Sequence, residues 1–167
     1  GSGQKIREAM DSALDKYDRT AKKSMDEEMI EIFMGVSTPN ISDAMHRKGA
    51  MRDIHPINPN KKIVGTAITV QTFEGDWAKS VEAIDLAGPE NVIVSYNGSR
   101  YISCWGGLAT QSCKMKGVAG VVIDGAVRDL DEIKEMDYPI FASSITPCAG
   151  EPKGMYSLQP GQGIMAD

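Results

Sequence analysis

Disulfide chemistry is the first thing this chain lacks. Its cysteines, Cys104, Cys113 and Cys148, form no CxxC pair and are odd in number. A disulfide scaffold is excluded, and reduced thiols in a cytoplasmic protein are the expectation. Histidine is scarcer still: His46 and His55 fit no compact zinc motif. Nowhere does an apolar run approach the roughly 20 residues that span a bilayer, so no membrane partner is expected. The opening GSGQKIREAMD is polar and charged, unlike a secretory signal. Basic charge is also short. Lys and Arg number 18 against 23 Asp and Glu, a net charge of −5. The pairs Lys61–Lys62 and Lys114/Lys116 make no basic stripe, which excludes nucleic acid as a partner. No internal repeat or low-complexity tract is visible.

What remains is an ordinary globular composition, 41% apolar and 25% charged, in a chain of 167 residues. That length suits one domain with a sizeable core. Residues 4–23 predict a helix with Ile6, Met10, Leu14 and Tyr17 on a narrow stripe. Residues 1–25 are read as a linker-like helix, leading from an upstream domain or packing on a neighbouring subunit. Residues 26–167 are read as a single domain. Its start predicts a helix over 26–35 stopped by Gly35, then a turn and a third helix. Ser42 or Asn40 is the expected N-cap of that helix, and Gly49 its stop.

Strands then alternate with helices. The expected strands are 62–73, 90–98, 117–125 and 138–147, rich in β-branched residues. Between them lie helices at 75–88, with Asp76 as N-cap, at 107–116 and at 130–136. This order predicts an α/β fold with a mostly parallel central sheet behind N-terminal helices. The tail after Cys148 is turn-rich, and its final GIMAD looks like a strand beginning.

One segment, WGGLATQSCKMKGVAGVVIDGAVRDLDE (105–132), concentrates chemistry. Gly106 and Gly107 precede a helix, whose first N–H groups lack partners and suit an anion. Arg128 offers a planar fork for carboxylate or phosphate. Asp129 offers hard oxygen to a cation such as magnesium. Each has a plainer reading. The glycines can simply close a tight turn, Arg128 can be a surface ion-pair partner, and Asp129 can cap helix 130–136. Asp124, in an apolar run, reads as a hydrogen-bonded structural carboxylate. Glu132 either orients Arg128 or water, or lies on a solvated helix face. Trp105 reads as core or subunit contact, and Cys113 as a buried structural thiol.

Gly107 and Arg128 are separated by twenty residues, with Asp129 next and Glu132 after a two-residue gap. This segment, with TPNISDAM, GDWAKSVEAIDLAGPENVIV and ASSITPCAGEPKG in the same order, resembles one family over residues 28–154. That family holds the regulator of ribonuclease E activity A and the class II 4-hydroxy-4-methyl-2-oxoglutarate aldolases. The QKIREAMDSALDKYDR helix and the IDLAGPENVIVSYNG phrase look most like its archaeal version, fused behind a hexulose-6-phosphate synthase. The resemblance implies a swivelling β/β/α domain in a homotrimer or hexamer, with sites between subunits. It departs from the family at MYSLQPGQGIMAD, where further C-terminal strands and their acidic residues are compressed.

What the resemblance implies for function is a carbon–carbon lyase, aldolase or decarboxylase, acting on a 2-oxo acid through a pyruvate enolate with Mg²⁺ or Mn²⁺. Arg128 and Asp129 would be catalytic, with Asp129 on the metal. Gly106, Gly107, Leu108, Ala109 and Arg128 would bind substrate, and Glu132 and Asp124 would lie behind them. The alternative is a non-catalytic regulatory or assembly module, ribonuclease-regulator-like or accessory to an upstream synthase. Apolar residues on the first helices, Met10, Leu14, Met29, Ile32 and Phe33, suit burial against another copy.

Overall fold

The structure is a computed structural model that describes residues 27–153 and 158–160, together with residues 4 and 8. The expected helix 4–23 otherwise lies outside the described residues, as do 154–157 and the GIMAD end. The chain divides into two compact units, residues 1–52 and 53–167, whereas the hydrophobic pattern places a break near residue 25.

The first unit contains helices α1 (Glu27–Met34) and α2 (Thr38–Ala44). Gly35 ends α1 as expected, with its N–H on Glu31 O at 3.0 Å. The cap of α2 differs from the expected Ser42 or Asn40. Ser37 caps it, its side chain accepting from Asn40 N at 3.4 Å. Pro39 explains the earlier start: it lacks an N–H, and the first turn is where that costs nothing. The helix ends at Met45, before Gly49, because His46 and Arg47 turn left-handed. Neither helix has a buried residue among those described.

The second unit is built on a seven-stranded sheet, six of its strands in the order β1-β6-β5-β3-β2-β7 and the seventh, β4, paired with β5 off this path. Its parallel centre comprises β2 (Thr66–Gln71), β3 (Asn91–Tyr96), β5 (Gly120–Val127) and β6 (Ile140–Ile145). Three of the four expected strands were longer at both ends, because periodicity runs on into flanking loops, whereas expected 117–125 began early and stopped two residues short of Val127. Three short strands had no sequence signal. β1 (His55–Pro56) and β7 (Leu158–Pro160) are antiparallel edges, and β4 (Ser103–Trp105) pairs in parallel with β5 beyond the end of β3.

Register builds the core. Ile68, Ile93, Val121 and Ile140 lie directly opposite one another across four strands, and all are buried. The next row is Val70, Ser95, Ile123 and Ala142. Helices α3 (Ala78–Leu86), α4 (Gly107–Lys116) and α5 (Leu130–Glu135) pack on this face through Ala83, Ile84, Cys113 and Ile133. Each fully buried isoleucine adds roughly 2–3 kcal/mol over leaving it in water. Expected helix 107–116 matches α4 at both ends, with Gly117 left-handed at its stop.

Near its exit β5 shifts register against β6 between Ile123 and Ala126. Asn97 packs where a side chain at Gly125 would stand, so residue 125 must be glycine for the strand to bend there. The bend delivers the residues after Val127 to the start of α4, where Arg128 N donates to Trp105 O at 3.0 Å.

Candidate active site at the glycine turn

Helix α4 begins without a side-chain cap of its own. Its first residues, Gly106 and Gly107, have no side chain to offer, and Gly106 is simply extended (φ −156°). The missing cap comes from twenty-two residues away: Gly107 N donates to Asp129 Oδ2 at 3.0 Å. The Arg128 Nε lies 3.4 Å from the same oxygen.

Asp129 reaches that position through an unusual backbone. It stands at the N-cap position of α5, as expected, but in the left-handed region (φ 58°, ψ 44°), and its side chain makes no bond to α5. The expectation that it caps α5 is corrected accordingly. An N-cap normally has extended geometry, which aims the side chain along its own helix. The left-handed turn aims it at α4 instead. Aspartate enters this region more readily than most residues with a Cβ, as Asp53 and Asp137 also do here.

Three side chains therefore converge on two glycines. A Cβ at Gly106 would meet Asp129 Oδ2 and would sit 3.2 Å from Arg128 Cγ. A Cβ at Gly107 would meet Glu132 Oε2. Both glycines are bare because carboxylates and the Arg128 stem occupy that space, which the tight-turn reading does not require. Glu132 is exposed, yet its carboxyl lies against Gly107 rather than away from it. The Arg128 and Asp129 side chains are 43% and 30% exposed, so solute can reach both. Among the described residues, the terminal guanidinium nitrogens of Arg128 make no hydrogen bond.

The expected anion cradle is partly filled. Gly107 N–H is committed to Asp129, while Leu108 and Ala109 N–H lie in the first turn, where a helix supplies no carbonyl. The Leu108 side chain is exposed and Ala109 packs toward the core. Asp124 is not brought to the turn. Its Oδ1 accepts from Ser143 Oγ at 2.8 Å, the structural role expected of it. No group of three or more His, Cys, Asp or Glu side chains suited to a metal occurs among the described residues. The donor set at the turn is Asp129 and Glu132, hard oxygens without sulfur or imidazole. That suits magnesium or manganese, which keep several waters and take one or two protein carboxylates.

The cysteines are no competitors as nucleophiles. Burial pushes the Cys104 and Cys113 thiols each up to about 12, so both are neutral near pH 7. Cys148 is exposed and free. A groove of about 330 Å³ between α3 and α4 is lined by Trp77, Val81, Glu82, Asp85 and Ser112, and by none of the turn residues.

Residues the sequence reading passed over hold the turn. Thr110 Oγ1 donates to Gly106 O at 2.8 Å and accepts the Trp105 indole N–H at 3.1 Å. Ser103 Oγ donates to Trp105 O at 2.7 Å. A threonine one helical turn after a glycine pair was the available signal.

Comparisons with known proteins give the family. The RraA-like family, described as Aldolase/RraA, matches residues 38–162. An uncharacterised protein of Methanocaldococcus jannaschii is 39% identical over 126 residues, 74% of this chain and 60% of that one. The chain thus spans under two thirds of that relative's length. The 4-hydroxy-4-methyl-2-oxoglutarate aldolase of Thermus thermophilus is 31% identical over 118 residues, 64% of this chain and 71% of that one. The solved structure of the RNA-processing inhibitor RraA of Thermus thermophilus superposes with a TM-score of 0.64 at 26% identity, covering 71% of this chain and 73% of that one. No helix among the described residues is long and apolar enough to cross a membrane. With its mixed, mostly parallel sheet and a family match over most of its length, the chain belongs to the RraA-like (Aldolase/RraA) family.

Proposed function

We propose that the domain is a divalent-metal-dependent carbon–carbon lyase that cleaves a 2-oxo acid to pyruvate. The observation that carries this reading is the left-handed Asp129, whose carboxylate is held, still accessible, between Gly107 N–H and Arg128.

Asp129, with Glu132 beside it, would hold Mg²⁺ or Mn²⁺ directly or through water. When bound, the metal would act as a Lewis acid toward the keto and carboxylate oxygens of the substrate. The chain's own groups do the rest. The N–H groups of Leu108 and Ala109 and the free end of the Arg128 guanidinium receive the substrate carboxylate. In an aldol cleavage a water takes the C4 hydroxyl proton as the C3–C4 bond breaks. The electron pair of that bond enters the pyruvate enolate, which then takes a proton at C3 from water. In a decarboxylation carbon dioxide leaves and the same enolate results. Arg128 would face the oxygen on which that charge develops, and a donor so placed is worth roughly 3–4 kcal/mol of barrier.

The test is pyruvate release from oxaloacetate and from 4-hydroxy-2-oxo acids with magnesium or manganese. Wild type should turn over, and Asp129→Ala should not. Full activity in that variant, or none in wild type with either metal, overturns the reading.

A second reading is a non-catalytic regulatory or assembly module, in a homotrimer or stacked pair of trimers, or behind an upstream synthase domain. The helices of the first unit favour it, since Met34 and Ile32 remain exposed and neither helix has a buried residue. The Thermus thermophilus neighbour described as an RNA-processing inhibitor points the same way. On this reading Arg128→Ala leaves the partner's activity and the assembly unchanged, whereas the lyase reading requires it to cost turnover.

A further inference from the structure

We propose that Thr110 is a positioning residue for the site: by holding the Gly106 carbonyl it aims the Gly107 N–H at Asp129. The inference rests on the lyase reading for its catalytic consequence, though not for its geometry.

The Trp105 indole nitrogen can only donate. Its 3.1 Å contact to Thr110 Oγ1 therefore makes the hydroxyl an acceptor there. The hydroxyl proton must go elsewhere, and Gly106 O lies 2.8 Å away. Thr110 is fully buried, so no water competes for either role. The same carbonyl also accepts Thr110 N at 3.1 Å. Gly106 O thus has two donors from one residue.

The Gly106 carbonyl and the Gly107 N–H belong to one peptide unit, which is planar and trans. Fixing the oxygen fixes the opposite direction of the N–H. That N–H is the group donating to Asp129 Oδ2 at 3.0 Å. Between two glycines the peptide plane has few steric restraints of its own, so the restraint must come from outside. Trp105 completes it. Its carbonyl accepts Arg128 N at 3.0 Å and Ser103 Oγ at 2.7 Å, so one residue ties the strand carrying Arg128 to the clamp on Gly106.

A threonine bonded four residues back in a helix is often only a local back-bond. Ser112 shows that plain case on the same helix. Its Oγ donates to Leu108 O at 3.0 Å, exposed, with no second partner among the described residues. Thr110 differs in being sealed, in having its proton direction dictated by an indole, and in gripping the peptide that faces the carboxylate.

The experiment follows the Gly107 amide proton by NMR in the full chain, beside turnover of oxaloacetate with magnesium. In wild type the amide should be shifted downfield by its carboxylate acceptor and slow to exchange. Thr110→Val should remove the downfield shift, quicken exchange about tenfold, and lower kcat about tenfold with KM within about threefold. Thr110→Ser keeps the hydroxyl and should restore both. A folded Thr110→Val with an unaltered Gly107 amide overturns the proposal, because a purely structural threonine would lower stability and leave that proton alone. If Thr110→Val does not fold, wild type decides: the Thr110 hydroxyl proton, held between indole and carbonyl, should exchange slowly enough to be seen. A proton lost to fast exchange overturns the clamp. A wild type without turnover removes the lyase reading, and the amide still reports on Thr110.

Discussion

Helices α3 and α4 follow β2 and β4 in the chain, and an aspartate holds each start. At α3 the aspartate is local. Asp76 Oδ1 accepts Ala78 N at 3.1 Å and Lys153 N at 2.9 Å, and the residue is fully buried. At α4 the aspartate is remote and open: Asp129 arrives from the end of β5, and its side chain is 30% exposed. One carboxylate is sealed among backbone donors and ties the segment at Lys153 to the sheet. The other keeps contact with solvent, has Arg128 beside it, and reaches its place through a left-handed backbone. The same capping interaction thus serves packing in one place and presents a reactive group in the other. Accessibility decides which.

Exchanging the charge at each start should separate the two roles most widely. Asp129→Asn keeps the shape and an acceptor for Gly107 N–H, but loses the charge that would hold a divalent cation. Turnover should fall by about 100-fold or more, with unfolding free energy changed by about 1 kcal/mol at most. Asp76→Ala should do the reverse. It orphans the Ala78 and Lys153 N–H groups in a sealed site, at roughly 2–3 kcal/mol of stability, while the folded fraction keeps its kcat. Urea melts alongside magnesium-dependent pyruvate release would check both. Should Asp76→Ala cost activity as heavily as Asp129→Asn, the division between the two starts collapses.

The difference also explains what could be read from the sequence. Asp76 just before a helical stretch is a local pattern, and a role for it at this helix start was foreseeable, although Trp77 takes the cap position expected of it and Asp76 reaches Ala78 N from one residue further out. The parallel strands and α4 were legible for the same reason, since periodicity and flanking glycines are local. The convergence on Gly106 and Gly107 was legible only as spacing. Nothing local says that Asp129 turns left-handed, or that Glu132 folds back onto Gly107, because both depend on the register shift that bends β5. Likewise Ser37 takes the cap expected of Ser42 or Asn40, since the preference for proline in a first turn outweighs the nearest polar residue. β1, β4 and β7, of two or three residues each, are held by partners rather than by propensity.

The bare glycines at the open start offer a sharper cut than deleting the carboxylate. Gly106→Ala places a methyl where Asp129 Oδ2 lies, and also 3.2 Å from Arg128 Cγ. Gly106 has negative φ, so the backbone accepts alanine and the cost is displacement rather than strain. Magnesium-dependent turnover should drop about tenfold, with stability within about 1 kcal/mol of wild type. Wild-type kinetics in Gly106→Ala would mean that Asp129 need not stand where it does.

The smallest effect is expected at Ser112, and its smallness is informative. Ser112 lies on α4 half a turn beyond Thr110, and its hydroxyl makes the same four-back bond. It is exposed, so water replaces the lost partner at Leu108 O, and alanine is the better helix former. Ser112→Ala should change stability by less than about 0.5 kcal/mol, in either direction. It should leave the Gly107 amide and kcat where they were, because water replaces the hydroxyl at the exposed Leu108 carbonyl, which it does not do beside the fully buried Thr110. A loss of turnover there would place the α3–α4 groove that Ser112 lines, rather than the glycine turn, at the centre of the chemistry.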